Sequence, residues 1–578
     1  MKHFLYLGAG VLLAAAATSC VDDDYDLSDI DSTVRVQVND LTVPVNIDPF
    51  TMESIFDIDP NDPDATVQVV DGVYAIVREG DFTTDEIKIG SLRLAADDFE
   101  SAGTVLETGV SGQVPGGIDI TVPFHTEEVS VSSESDAVPV EITEIDKIGA
   151  TFTITYNLSF AGLENKVSKM SLRDVVINFP KGLTGTPNIG TYDPAKGELR
   201  IANVNLSTPR LSISMQCSEL DFKVLGGVYD AAAHKAEFHT SVQIASGTLS
   251  FNSSDFTGNV PAQLTLKSDG RISAIDVTSF TGRITYNING ADVSSVQLND
   301  LPDVLSQKDT RIILENPQIY LSITNPVAQY GLAASTGLGI TSVFKDENGT
   351  VTGTTYHSLD NGTFEVSALP SSAYCLAPTK PSSDPQGYEN ASFVPFHSLQ
   401  TVLEGQGLPA ELDIDLVNPS VFNQAVNHIP LGRSLGDVKG NYRFVAPLSF
   451  GAGSQLIYTD TEDGWNDEDV DKITIETLQV ETTVSSQLPI EVNFTAYPID
   501  IHGNRINNVS VEGAAVPANA SDHKLVIRIT GEIQHLDGVV FTATATVPAD
   551  MESPLNPSQS ISCKDIRATV SGYYEKEL

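Results

Sequence analysis

This chain is short of sulfur, positive charge and tryptophan. Its four cysteines, at 20, 217, 375 and 563, lie more than 150 residues apart along 578 residues. That spacing excludes the tight ligand clusters of zinc sites and the Cys-rich frameworks of small secreted domains. Lys and Arg total 32 against 77 Asp and Glu, a net charge of −45. Phosphate binding draws on clustered cations, and no basic stripe occurs, so nucleic acid is excluded as a partner. An acidic envelope of this kind serves solubility. One Trp and 7% aromatics argue against a dedicated glycan binder, which presents several stacking platforms.

Catalytic signatures are missing as well. There is no Gly-x-Ser-x-Gly elbow, phosphate-binding Gly-rich loop, His-Glu-x-x-His or Cys-x-x-Cys, so the chain is read as non-enzymatic. His234 and His239 come nearest to a histidine cluster, but five residues apart in a strand they point to opposite faces. A glycoside hydrolase pair is set by separation in space and can hide among 77 carboxylates, so a hydrolase stays open as a third reading.

The one greasy stretch is at the start. Lys2 and His3 precede fourteen apolar or small residues, 4–17, and then Thr18-Ser19-Cys20. A basic start, a short apolar core and small residues before a cut describe a secretory signal, and fourteen residues are too few to span ~30 Å of hydrocarbon. The junction resembles a bacterial lipoprotein signal, with Ala17 where Leu is usual. That resemblance implies cleavage before Cys20, acylation of its thiol (palmitate among the chains) and attachment to a membrane. The run Val21-Asp22-Asp23-Asp24-Tyr25-Asp26 is similar to the acidic signal that sends Bacteroidetes-type lipoproteins to the outer face of the outer membrane. Asp22, Asp23 and Asp24 are the export residues it implies. The stretch "DYDLSDIDSTVRVQVNDLTVPV" resembles the start of uncharacterised Bacteroidetes-type surface-exposed lipoproteins, and Asp31-Ser32-Thr33 matches their O-glycosylation pattern, with Ser32 as acceptor.

Beyond residue 30, apolar and polar residues alternate with β-branched enrichment, the pattern of half-buried strands. "ATFTITYNLSF", "RLSISMQC", "PQIYLSITN", "KITIETLQVETTV" and "HKLVIRITGEI" carry it. Asp71-Gly72, Asn289-Gly290, Asn348-Gly349, Asn361-Gly362 and Asp537-Gly538 read as hairpin turns. Short helical connectors are expected at 50–56, 163–170 and 398–403. The class is all-β, as tandem Ig-like antiparallel β-sandwiches. Expected divisions are a signal peptide 1–20, an acidic tether and first β unit 21–115, and sandwiches over 116–268, 269–438 and 439–578. The 269–438 unit, with strands ended by Asn325-Pro326 and Asn418-Pro419, resembles the β-sandwich of late-embryogenesis-abundant proteins.

Two acidic loops offer hard oxygen donors for Ca²⁺. "DIDPNDPD" alternates Asp57, Asp59 and Asn61 but lacks the turn glycine of an EF-hand. "DTEDGWNDEDVD" offers Asp460, Glu462, Asp463, Asp467 and Asp469 around Trp465, whose indole would stack on a sugar if exposed. No other cofactor is implied. The leading expectation is a lipid-anchored outer-membrane surface protein that acts as an adhesion, structural or binding scaffold toward an extracellular protein or glycan. The alternative is a glycan-capturing accessory lipoprotein of a polysaccharide-uptake system.

Overall fold

Period-two alternation becomes strand almost throughout. From Phe152 to Leu158 the even-numbered residues are buried while Thr151, Thr153 and Thr155 are not, as expected where one face of a pleated strand meets a core. A computed structural model describes residues 33–44, 50–51 and 65–577, apart from breaks at 111, 113–115, 299–300, 308–309, 347, 405–407, 469 and 549–552. Among the described residues no helix is long and apolar enough to cross a membrane.

The chain forms two units. The smaller combines the described part of Met1–Thr51 with Tyr458–Ala545 and Ser560–Leu578, and the larger holds the rest. The four consecutive domains expected from length do not match these divisions, because strands pair across the expected breaks at 115, 268 and 438.

The first strand, β1 (Thr33–Pro44), belongs to the smaller unit. The principal strands of the larger unit begin with β2 (Val73–Thr83), β3 (Thr104–Glu107), β4 (Gly117–Val122), β5 (His125–Ser132), β6 (Ile142–Ala161), β7 (Met170–Asn178), β8 (Arg210–Asp221), β9 (Lys235–Asn252), β10 (Gln263–Ile272) and β11 (Ile275–Asn287). They continue as β12 (Gln318–Thr324), β13 (Ala334–Lys345), β14 (Val351–Ser358), β15 (Ser371–Ala377), β16 (Glu411–Pro430) and β17 (Lys439–Pro447). In one layer the long strand β6 pairs antiparallel with β8, β10 and β11, and β11 pairs with β16. Facing it, β9 pairs with β4, β5 and β7. Leu106, Ile120, Phe152, Ile213, Ile244, Leu266 and Ile429 share one continuous core, drawn from three of the four segments that the expected breaks would separate. A further sheet runs β2-β17-β12-β15.

The smaller unit adds β18 (Gln455–Glu462), β19 (Thr474–Ser486), β20 (Val492–Asp500), β21 (His523–Ile533), β22 (Leu536–Thr546) and β23 (Ser560–Glu577). One sheet runs β1-β23-β19-β21, so a strand from the start of the chain lies at the edge of a sheet built from its end. Arg35 ties β1 to β23: its guanidinium lies 2.7 Å from Glu575 and 3.6 Å from the centre of the Tyr573 ring.

Local expectations fared unevenly. Asp71 and Gly72 both take positive φ, 51° and 81°, between paired strands, as a two-residue hairpin turn requires. Asp537-Gly538, by contrast, lies inside β22; a Cβ on Gly538 would sit 2.2 Å from the Glu462 carbonyl, so the glycine answers a close backbone approach. Asn418-Pro419 does not end its strand. Asn418, Asn423 and His428 all take positive φ in β16, and ladder shifts interrupt its pairing with β11 and β13; bulges of this kind let a strand bend and continue. Of the helical connectors, a 3-10 turn at His397–Thr401 forms, Phe50 and Thr51 are strand, and 163–170 is turn and bridge running into β7.

Candidate functional site

The sequence-derived candidates fall in three places. Cys20, Asp22, Asp23, Asp24 and Ser32, with the loop of Asp57, Asp59 and Asn61, lie outside the described residues. The first strand begins thirteen residues after Cys20.

The second acidic loop comes directly after β18. Asp460 and Glu462 end that strand, and Asp463 is next, all three exposed. The Asp460 carboxylate accepts the Thr461 amide at 2.8 Å. The side chains of Asp467 and Asp469 are outside the described residues, and among those described no three His, Cys, Asp or Glu converge on a metal position. Trp465 departs from its expected role. It is 6% exposed and packs with Val470, Ile475, Leu478, Ile529 and Leu536 in the core of the smaller unit. The Asn466 amide donates to Asp537 Oδ1 at 3.0 Å, pinning the loop so that the indole turns inward. Trp465 is therefore a core residue and presents no face to a sugar.

His234 sits in a turn at φ 44°, just outside β9, and His239 Nδ1 meets Ser130 Oγ at 2.9 Å on the surface. The three described cysteines are free thiols: Cys217 and Cys375 are buried and Cys563 is half-buried.

A group that no motif announced lies inside the larger unit. On β5, Glu127 shares the inward phase of Val129 and Val131 and is 5% exposed. Its carboxylate reaches across to the opposite layer, where the Tyr156 hydroxyl of β6 donates to Oε2 at 2.7 Å and the Ser268 hydroxyl of β10 donates to Oε1. His125, on the same face of β5, places Nε2 3.2 Å from Oε1, off hydrogen-bonding geometry. Beside these, Asn157 donates to Asp269 at 2.7 Å. Burial raises the Glu127 pKa above the usual carboxylate range, and the Tyr156 hydrogen bond and His125 pull it back. Burial and then the Glu127 charge push the Tyr156 phenol up, so it stays a donor.

The surroundings close this group in. Tyr156 lies opposite Gly270, which lies opposite Phe99 on the next strand. A Cβ at Gly270 would stand 2.0 Å from the Phe99 ring, and that ring stacks on Tyr156 with centroids 6.2 Å apart. The arrangement ties the two layers together through one carboxylate; buried charges are tolerated only when hydrogen-bonded in this way. The sequence signal was phase alone: in "HTEEVSVS" Glu127 occupies a position where the alternation asks for an apolar side chain.

The concave features lie elsewhere. Phe82, Ile87, Ile323, Leu332, Leu416 and Val421 help to line an apolar cavity of about 40 Å³. An open cleft of about 440 Å³ is lined by Val277, Thr278, Ser279, His428, Pro430, Leu431 and Arg433. His428 is held by Asn427 Oδ1 at 2.7 Å from Nδ1, with Glu219 3.5 Å from Nε2.

No family model matches this chain. No curated protein matches it either. Among solved structures it is similar to a protein of Parabacteroides distasonis described as secreted, at 13% identity over 51% of this chain and 90% of that one, with a TM-score of 0.35. A second similarity is to the pilus backbone RrgB of Streptococcus pneumoniae, at 9% identity over 78% of this chain and 87% of that one, with a TM-score of 0.08.

Proposed function

We propose that this chain is a lipid-anchored protein of the outer membrane, facing the exterior, that acts without catalysis as an adhesion or binding scaffold. The observation that carries the proposal is the junction at Cys20, where a short apolar leader meets a cysteine followed at once by Asp22, Asp23 and Asp24. Acyl chains on that cysteine supply the anchoring, at about 0.8 kcal/mol per buried CH₂. The β fold adds a geometric consequence. Twelve residues separate Cys20 from Thr33, where β1 begins, and the thirteen Cα steps between them reach at most about 45 Å when extended. The unit closest to the lipid in covalent terms is therefore the one completed by the C-terminal strand β23.

The glycan-capturing alternative rested on Trp465, and burial of that indole leaves it without its named platform. Glu127, the deeply buried carboxylate, is occupied by Tyr156 and Ser268, which supports a structural role for it over a catalytic one.

Metabolic labelling with a palmitate analogue, combined with protease treatment of intact cells, tests the proposal. The wild-type chain is expected to take up label, to fractionate with the outer membrane and to be digested from outside. Cys20→Ser is expected to lose label and membrane retention together, and Asp22 to Asp24→Ala to keep the label while becoming protease-protected. A chain that stays unlabelled, or that is protected in intact wild-type cells, overturns it.

A further inference from the structure

Sheet edges expose unpaired N–H and C=O groups, and proteins usually blunt them with charges, prolines, bulges or cover. The edge strand β1 is blunted in this manner. It carries Arg35, a ladder shift between Val38 and Leu41 with Asp40 at φ 53°, and a terminal Pro44.

The strand β14 is different. Among the described residues it pairs with β13 alone. Its first six residues, Val351, Thr352, Gly353, Thr354, Thr355 and Tyr356, are exposed on both faces, with no charge and no proline among them. Val351 and Tyr356 are apolar side chains 53% and 58% exposed. The Tyr356 hydroxyl lies where a Cβ on Gly339 of β13 would be, 2.3 Å away, so the glycine lets the ring lie flat along the sheet. The open run has a defined end: Ser358 O accepts the Ser398 hydroxyl at 3.0 Å, and His357 is buried against Ser342, so the turn His397–Thr401 covers the end of the strand beyond Tyr356. Six residues of open edge span about 20 Å.

We infer that this edge is a docking surface for a second copy of the same chain, joined by antiparallel pairing of β14 with β14 about a two-fold axis near Thr354. Charge selects the occupant. Each copy carries −45, so two copies repel over most approaches, and they can meet only where neither presents charge. A basic partner would instead be drawn to the acidic faces and away from the neutral strip. Within β14 no side chain repels its own symmetry mate, and threonines placed opposite threonines form a favourable cross-strand pair. The nearest charge on β13, Lys345, is neutralised by Glu411 at 2.7 Å. The net negative charge of the two copies makes the association salt-dependent in an unusual sense. Added salt screens their repulsion across the two-fold and strengthens the dimer, whereas a contact made through opposite charges weakens.

Sedimentation velocity of the full-length chain in a non-ionic detergent tests this, over a protein concentration series at low and high salt. The expected result is a monomer–dimer equilibrium that shifts toward dimer as salt rises. Thr354→Glu, which sets two like charges beside the axis, is expected to weaken the dimer about tenfold or more. Val228→Glu, at a position 59% exposed and away from this edge, is expected to leave it unchanged. Thermal unfolding of the Thr354→Glu chain serves as the folding control; an unaltered midpoint assigns the loss to the edge. In a second experiment, Thr354→Cys is expected to join two copies by a short bis-maleimide, while Val228→Cys is not. A chain that stays monomeric at every concentration in high salt, or a Thr354→Glu chain that dimerises as well as wild type, overturns the inference.

Discussion

Removing the hydroxyl of Tyr156 probes how the larger unit holds its two layers. Tyr156→Phe keeps the ring and its stacking on Phe99 but deletes the donor that sits 2.7 Å from Glu127 Oε2. A hydrogen bond to a charged group contributes about 1.5–3 kcal/mol, and a buried acceptor left unpaired loses its solvation in addition. A loss of about 2–3 kcal/mol at neutral pH is expected. The pH dependence gives the sharper criterion. Burial raises the folded pKa of Glu127 above its unfolded value, so the folded state binds the proton more tightly. The stability linked to that proton is fully present below the ordinary carboxylate range and is lost as pH rises through the folded pKa. Above it the carboxylate is ionised and depends most on Tyr156, so the cost of Tyr156→Phe should grow as pH rises through that pKa. Glu127→Gln removes the titration and should flatten the slope. Denaturant unfolding followed by near-ultraviolet circular dichroism, at pH 4.5, 5.5 and 7, measures each term, and the double variant gives the coupling. An equal penalty for Tyr156→Phe at all three values, or one below about 0.5 kcal/mol at pH 7, would refute the argument that an ionised Glu127 is held by this phenol.

Three further outcomes rest on burial and backbone geometry. Trp465 is the sole tryptophan, so emission from the native protein should be blue-shifted and resistant to iodide, and Trp465→Ala should destabilise the smaller unit by about 3–5 kcal/mol, read from its unfolding midpoint. Gly538→Ala, which would press a methyl group 2.2 Å from the Glu462 carbonyl, should destabilise by about 1–3 kcal/mol; Gly353→Ala, with nothing within 4 Å, should stay within about 0.5 kcal/mol by the same measurement. Burial pushes the Cys217 thiol up to about 12 and the Cys375 thiol up to about 11, so at pH 8 both should react with a disulfide reagent only after denaturation, with half-buried Cys563 the first to react in the folded chain.

Much of the local structure was legible in the residues. Period-two alternation located β6, β8, β12, β19 and β21, because a strand with one buried face writes its burial into every second residue. Asp71-Gly72 marked a turn because both of its residues accept positive φ. What failed was whatever depends on partners far away in sequence. Trp465 stood in an acidic loop that reads as solvated, and only the fold shows that Asn466 and Asp537 turn the indole into a core. Asp537-Gly538 spelled a turn, yet the approach of Glu462 from another strand required the glycine. Glu127 broke the alternation of β5 by one residue, and its meaning appeared only when Tyr156 and Ser268 arrived from the facing layer.

The sequence by itself determined the strand class and the turn at Asp71-Gly72, since each is encoded in neighbours along the chain. Tertiary structure alone decided that there are two units instead of four, that β1 completes the sheet of the C-terminal strand, and that β14 has an open edge among the described residues. Those are questions of which strand lies beside which, and pairing is set by hydrogen bonds and packing between residues that can be hundreds of positions apart.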